Sequence, residues 1–516
     1  MPKWFNIAGP CQADIHYMLS PTARIPELMP LIQQRNYFVI HAPRQIGKTT
    51  AMIALAQELT ASGDYTAVML SVEVGAAFPE QPDIAEGAIL SSWKNAIEHW
   101  LPVEHHPVQY PDVKEEKHLS QFLNQWAKSA PCPLVVFIDE IDSLQDQTLI
   151  SVLRQLRDGY PLRPQGFPHS LGLIGMRDVR DYKVKAGGSD RLNTASPFNI
   201  KVASLTMGNF SFEDVGNLYQ QHTDATGQIF TPEAVSHAFY LTDGQPWLVN
   251  ALAREATQYL VKDPAEPITI AVIEQAKEIL IQRQDTHLDS LAERLREDRV
   301  KVIIQPMLAG EELSDTAEDN IRYLLDLGLC RRDSGGGLQI ANPIYREVLP
   351  KALAAVPIAS LTSIMPTWLN AEGNLDPQAF LNTFLDFWRQ QGVPLLKSAP
   401  YHEIAPHLVL MAFLHRVVNG GGRLEREYAI GSGRMDICLR YGNVVMGMEL
   451  KVWRPKKKDP LSQGLTQLDK YLDGLGLDTG WLVIFDRRPG LPPIEDRTTL
   501  ETALSPSGRE ITVIRG

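Results

Sequence analysis

Three groups of residues in this chain have the types and spacing for phosphate chemistry. The first is His41–Thr50, HAPRQIGKTT, which has the spacing of G-x-x-x-x-G-K-[ST] with Ala42 in place of the first glycine. In a loop of this kind, backbone N–H groups and the positive end of the following helix surround the β-phosphate of a nucleotide. The expected nucleotide-binding residues are Ala42, Pro43, Arg44, Gln45, Ile46, Gly47, Lys48, Thr49 and Thr50. Lys48 would reach the β- and γ-phosphates, and the Thr49 hydroxyl would hold Mg²⁺. Alanine at position 42 is tolerable only where φ stays below zero, because a Cβ penalises the left-handed region. The second group is Asp139-Glu140. Asp139 would hold Mg²⁺ through water, and Glu140 would polarise the attacking water. The third group is Asp436 with Glu449 and Lys451, two carboxylates and an amine. Two carboxylates side by side make a hard-oxygen site for Mg²⁺ or Mn²⁺, with the Leu450 carbonyl as a further ligand. Such a metal lowers the pKa of bound water, while Lys451 would orient the nucleophile or neutralise the phosphorane.

The elements that must position these residues are legible as apolar runs. Tyr37–Ile40 precedes the loop and Ala51–Leu59 follows it with helical patterning, so the loop sits where a strand turns into a helix. Ala67–Val72 reads as a second strand, and a helix over Leu119–Ser129 leads into Pro133–Ile138. Five consecutive large apolar residues, Leu134 to Ile138, imply a strand covered on both faces, as in a parallel sheet. Its carboxylates then emerge at the C-terminal end, where open α/β sheets bind ligands. Ser170–Met176 is the next strand and leads into Arg177 and Arg180. Arg177 is the first choice to sense the γ-phosphate and Arg180 the second; the alternative is an interface arginine reaching a neighbouring subunit. Ile200–Leu205 can close the sheet. Ahead of the first strand, Phe5 or Tyr17 is placed to cover a base, although a plain surface lead-in fits equally well.

From Ser211 the period becomes helical. Thr231-Pro232-Glu233 makes a good helix start, and Asp243-Gly244-Gln245-Pro246 is a G-x-P turn with Pro246 at the first helical position, where its missing N–H costs nothing. The phosphate loop APRQIGKTT, the acidic strand LVVFIDEID, the strand GLIGMRDVR and the turn DGQPWLVN together resemble the prokaryotic AAA-like ATPases related to archaeal and STAND-type switches, over roughly residues 5–290. The resemblance implies that these motifs bind ATP and Mg²⁺ and that Pro246 couples the nucleotide to the downstream domain. Residues 291–355 read as a winged helix, with the helix Ala317–Leu327 and a glycine-rich hairpin at Asp333–Gly337. Such a domain would either contact DNA through Arg331 and Arg332 or transmit movement of the lid.

In the C-terminal part, Val444–Val452 reads as a strand in which Glu449 and Lys451 share a face. Asp436 can arrive beside Glu449 from the preceding hairpin strand, and Gln467 and Tyr471 share one face of a helix. Glu403–Phe485 resembles the PD-(D/E)xK nuclease superfamily, with Asp436, Glu449 and Lys451 matching D…E-x-K. Gln467 and Tyr471 match the Q-x-x-x-Y helix of its RecB-like branch, and Glu403 the carboxylate of its first helix; Met435 replaces the usual proline. That resemblance implies a metal-dependent DNA nuclease, or a nuclease-like domain that binds nucleic acid or protein without cutting.

The expected architecture is α/β: lead-in 1–35, phosphate-loop ATPase core 36–205, helical lid 206–290, winged helix 291–355, connector 356–396 and restriction-endonuclease-like domain 397–516. Apolar residues at 44% and charged residues at 21% describe an ordinary globular protein. No apolar run is long enough for a membrane helix and no signal core opens the chain, so a cytoplasmic location is expected and no membrane partner. The net charge is −12, yet Lys397–Arg488 holds 14 basic and 10 acidic residues, a balance of +4 against −16 elsewhere. An acidic body with one basic module is compatible with DNA as partner. The leading expectation is an ATP-controlled switch over a nuclease, open to homo-oligomer formation. The rival is a signalling or scaffold ATPase.

Overall fold

The computed structural model describes the chain except residues 1–2, 21, 111–117, 178–199, 284–285, 309–317, 334, 361–366, 371, 399–404, 419–421 and 430–433. At some further positions, 422–429 and 434–436 among them, only the backbone is described. The chain folds into two compact units, Met1–Glu278 with Asp326–Gly328, and Ile279–Leu325 with Leu329–Gly516. The first break falls inside the stretch read from sequence as the lid.

In the first unit, strands β1 (Tyr37–His41), β2 (Thr66–Ser71), β3 (Leu134–Asp139), β4 (Ser170–Gly175) and β5 (Lys201–Thr206) form a parallel sheet in the order β2-β3-β4-β1-β5. Successive residues of a strand face opposite sides, and the core divides accordingly. Phe38, Ile40, Val135 and Phe137 pack with Met52, Leu55 and Leu59 of the helix Lys48–Ala61. Tyr37, Val39, Val136 and Ile138 pack on the other side with Ile89, Trp93, Leu149 and Val152. Both faces are therefore dry, which is why the sequence of β3 shows no polar alternation. The helix Pro82–Trp100 was not read from the sequence, although its buried Ala85, Ile89, Trp93 and Ile97 recur every fourth position.

The helices Phe212–Thr226, Pro232–Thr242 and Pro246–Arg254 come after the sheet. Ser211 caps the first through a reciprocal pair with Asp214, and Thr231 caps the second by accepting from Ala234 N at 3.2 Å. Gly244 joins the second to the third in the left-handed region, at φ +70, and a Cβ there would lie 1.9 Å from the Phe210 carbonyl oxygen. Gly244 O also accepts from Phe210 N at 2.8 Å, so the turn has no room to shift. Gly244→Ala is expected to destabilise the first unit by roughly 1–3 kcal/mol from the backbone conformation alone. Denaturant unfolding followed by circular dichroism measures this, and an unchanged midpoint would contradict the account of the turn.

In the second unit, β6 (Cys330–Arg332) and β7 (Leu338–Ile340) form a hairpin behind the helix Glu318–Asp326. A six-stranded sheet is built from β8 (Gly422–Ala429), β9 (Arg434–Tyr441), β10 (Val444–Trp453), β11 (Thr479–Asp486), β12 (Thr499–Leu504) and β13 (Glu510–Arg515) in the order β12-β13-β11-β10-β9-β8. β11 runs parallel to both β10 and β13, and the remaining pairs are antiparallel. The helix Pro377–Ser398 lies in the stretch read as a connector, yet Phe380, Phe384, Phe387 and Trp388 bury into this unit's core with Met448 and Leu450. Gln378–Arg389 was rightly read as helical; its spacing of three and four is what makes one face apolar. Among the described residues no helix is long and apolar enough to cross a membrane, and no disulfide links the four cysteines.

Candidate functional site

The phosphate loop leaves the C-terminal end of β1 and enters the helix Lys48–Ala61 directly. Ala42 is not among the residues with positive φ; that conformation falls on Gln45, at φ 60, and on Gly47, at φ 95. The alanine is thus accommodated because the left-handed turn comes later in the loop. Gln45 carries a conformation that costs a non-glycine residue roughly 1–2 kcal/mol. Lys48 Nζ donates to the carbonyls of Ala42 and Pro43, both at 2.8 Å. Burial lowers the pKa of Lys48, and the nearby Asp139 works against that shift.

β4 lies between β1 and β3, so the loop and the acidic pair are one strand apart. Ala42 N donates to Gly175 O at 3.3 Å, and Thr49 Oγ1 reaches across to Asp139 Oδ2 at 2.6 Å. A hydroxyl and a carboxylate meeting at the end of a phosphate loop are two hard oxygens, a donor set that fits Mg²⁺. Burial raises the pKa of Asp139 and the Thr49 hydrogen bond opposes it. Glu140 comes next with φ 59, turned out of the strand. Its pKa is pushed up to about 7, first by burial, then by the charges of Glu73, Asp139 and Asp142 and by a hydrogen bond shared with Glu73. Glu73, just beyond β2, is a neighbour that sequence reasoning missed.

Arg177 stands beyond β4 as expected, and its Nε makes an ion pair with Asp326 Oδ2 at 3.1 Å. Asp326–Gly328 belongs to the first unit, and a Cβ on Gly328 would lie 2.8 Å from Pro43 Cγ. Arg180 lies outside the described residues. Pro246 starts its helix and lines a cavity of about 170 Å³ beside Gln45, Gly47 and Thr50. Tyr17 also lines this cavity; Phe5 does not, being fully buried against Tyr17, Tyr219 and Phe230. Sequence reasoning also missed Arg24. Its guanidinium donates to Ile46 O at 2.8 Å and to Gly208 O, and lies 4.7 Å from the Phe210 ring.

Lys48→Ala is expected to weaken ATP binding about 10- to 150-fold, the loss that comes from removing hydrogen bonds to a charged group worth roughly 1.5–3 kcal/mol. Calorimetric titration reads this directly; normal affinity would dispose of the phosphate-loop assignment.

The C-terminal group sits on two adjacent inner strands of the second sheet, Asp436 on β9 and Glu449 with Lys451 on β10. Glu449 is fully buried, Lys451 is 6% exposed, and Lys451 Nζ lies 2.5 Å from Glu449 Oε1. Across the antiparallel β9–β10 pair, Asp436 stands directly opposite Glu449, so both positions belong to one face of the sheet. Cys438, two residues on, shares that face and packs with Leu468, Tyr471 and Leu472 of the helix Leu461–Leu475. The helix with Gln467 and Tyr471 thus covers the face that carries Asp436, Glu449 and Lys451. It comes close because Gly447 and Gly464 leave space: a Cβ at either would sit 2.6 Å from a leucine methyl. Glu403 lies outside the described residues, and only the backbone of Asp436 is described. Buried His407 is held near pKa 3 by burial and by the charges of Lys451 and Arg454. It packs on Phe485, whose partner in the register is Val452, and so belongs to the opposite face.

A five-stranded parallel sheet with a phosphate loop after β1 and an acidic pair after β3 defines a nucleotide-binding α/β ATPase. Residues 38–163 match the family described as the ATPase family associated with various cellular activities (AAA), and this part of the chain is an AAA ATPase domain. No curated protein matches the chain. Similar solved structures include a Walker-type ATPase of Pyrococcus abyssi, 11% identical over 67% of this chain and 99% of that one, with a TM-score of 0.48. The RuvB Holliday junction branch migration motor of Thermotoga maritima is 16% identical over 66% and 97%, with a TM-score of 0.36. The ORC2 protein of Aeropyrum pernix is 15% identical over 68% and 96%, with a TM-score of 0.35.

Proposed function

We propose that the chain is an ATP-binding and ATP-hydrolysing switch that governs a metal-dependent DNA nuclease in its C-terminal part. In the ATPase, Lys48 holds the phosphates, Thr49 and Asp139 supply the hard oxygens for Mg²⁺, and Glu140 positions water. In the nuclease, Asp436 and Glu449 with the Leu450 carbonyl would hold Mg²⁺ or Mn²⁺, which supplies an activated water. Lys451 neutralises the phosphodiester, and Gln467 and Tyr471 border the substrate. The observation that carries the nuclease reading is the register: residues 13 apart in sequence stand opposite each other on adjacent strands, beside Lys451. The hairpin β6–β7 after the helix Glu318–Asp326 supports a winged helix; its Arg332 is exposed and donates to Gly336 O at 3.3 Å, and Arg331 donates to Ala341 O at 3.0 Å. Defence against mobile DNA, or its maintenance, is the setting that such a pairing of domains suggests by analogy.

The second reading, a domain that binds without cutting, is favoured by one fact, the complete burial of Glu449. Nicking of supercoiled plasmid with Mg²⁺ or Mn²⁺, with and without ATP, separates the two. Cleavage that Glu449→Ala and Lys451→Ala both abolish supports the nuclease. Cleavage that survives both substitutions, or no cleavage under any of these conditions, refutes it.

A further inference from the structure

In the order β2-β3-β4-β1-β5, β2 is an edge strand. Thr66 N donates to Pro133 O at 3.1 Å and Val72 N to Asp139 O at 3.2 Å, so the even-numbered residues of β2 turn their backbone groups towards β3. The odd-numbered ones, Ala67, Met69 and Ser71, turn theirs to the open side, because the backbone groups of successive strand residues alternate in direction. Two of these three are already engaged. Thr60 Oγ1 accepts from Ala67 N at 3.0 Å and donates to Ala67 O at 3.1 Å, and Trp93 Nε1 donates to Ser71 O at 2.8 Å. Met69 is different: no described residue pairs with its N–H or its C=O. Met69 borders a cavity of about 350 Å³, walled by Ile53, Ala56 and Ala61 of the helix Lys48–Ala61 and by Trp100 and Pro102. That volume is enough for a small ligand. The cavity shares no residue with the one beside the phosphate loop, and β3 and β4 lie between β2 and β1.

We propose that this cavity binds a small planar heterocycle through an N=C–N–H edge, whose ring nitrogen accepts from Met69 N and whose N–H donates to Met69 O. The two backbone groups belong to one residue and face the same side, so they call for an acceptor and a donor close together on one rigid edge. Such a pair of bonds fixes the orientation of the ring, and the apolar walls cover its faces; Trp100, 40% exposed, offers a flat surface. The other group that satisfies a sheet edge is an added strand. A strand needs alternate residues along β2, and Thr60 and Trp93 hold groups of the residues on either side of Met69. A ladder would therefore stop after one residue. The side chains that close this edge to a peptide frame a single donor–acceptor pair, which suits a ligand of one or two rings.

The test uses the full chain with its methionine amides labelled with nitrogen-15, the Met69 resonance being assigned by its loss in Met69→Leu. Three probes of similar shape are titrated: 7-azaindole, which carries the N=C–N–H edge, indole, which lacks the acceptor, and 1-methyl-7-azaindole, which lacks the donor. 7-Azaindole is expected to shift the Met69 amide and, by saturation transfer to the probe, to bind about fivefold more tightly than either of the others, the factor corresponding to one net hydrogen bond. Met69→Pro removes the N–H at an edge position whose N–H points outward, where proline is tolerated, and should erase the advantage of 7-azaindole over indole. Ala61→Trp fills the cavity from an exposed position and should abolish binding of all three probes; it serves if the proline variant does not fold. Equal wild-type affinities for the three probes, a Met69 amide that does not move, a preference that survives Met69→Pro, or binding that survives Ala61→Trp would each overturn the site.

Discussion

Glu140→Gln should leave ATP bound and slow its hydrolysis by about 10²–10⁴-fold, the usual contribution of a positioned general base. The carboxamide keeps the shape of the side chain but cannot accept a proton from water. Binding is spared because the phosphates are held by Lys48 and the loop backbone, and the Thr49–Asp139 contact is untouched. Glu140 is set apart from Asp139 by its left-handed backbone, which turns it away from the carboxylate that faces Thr49. Its environment also prepares it for the role, since burial and the carboxylates of Glu73, Asp139 and Asp142 lift its pKa to about 7. In the nucleotide-free protein, a carboxyl titration should therefore find this group near neutrality, and Glu73→Gln should move it towards the usual glutamate range. Stability responds to pH with a definite sign. Between about 4.5 and 7 the folded chain binds more protons at this group than the unfolded chain, so its contribution falls as pH rises through that window. Single-turnover measurement with bound ATP checks the main effect. A variant that hydrolyses at the wild-type rate would transfer the role to another residue.

Lys451→Met is expected to abolish cleavage and also to destabilise the second unit by about 3–5 kcal/mol, the cost of leaving a buried charge without its partner. Glu449 is fully buried on the central strand β10, flanked by β9 and β11, and Lys451 is its close neighbour on the same face. Methionine has nearly the length of lysine, so the change removes the charge and little of the volume. The double variant Glu449→Leu, Lys451→Met removes both charges and should recover most of the lost stability, because apolar replacements of a buried ion pair are often neutral or favourable. It should not recover cleavage. Unfolding midpoints and plasmid nicking on the same preparations separate the two consequences. A single variant as stable as the wild type would mean that the Glu449 charge is compensated elsewhere. Cleavage by the double variant would place the reaction outside this strand.

Much of the first unit was legible because its signals are local. The run Leu134–Ile138, the pair Asp139-Glu140, the G-K-T of the loop and the Ser211 and Thr231 caps each declare themselves within a few residues. Their physical basis, burial on both faces, a helix N-terminus and unsatisfied N–H groups, acts over the same short range. The helix Pro82–Trp100 was equally local but its stripe was not read. β12 and β13 were harder: β12 is an edge strand with mostly exposed residues, and an edge shows no clear alternation of apolar and polar positions.

The sequence by itself determined which residues could bind phosphate, which strands carry them and where the E-x-K group lies. Only the tertiary structure decided what those residues meet. It set Glu73 against Glu140 and Arg177 against Asp326, and it put the left-handed turn at Gln45 and Gly47 so that Ala42 could stand. It also brought the segment Asn6–Gly9, the phosphate loop and the helix Pro246–Arg254 around one cavity. Apart from the turn within the loop, these are contacts between segments far apart in the chain. They depend on strand order and packing, which the periodicity of a short stretch does not encode.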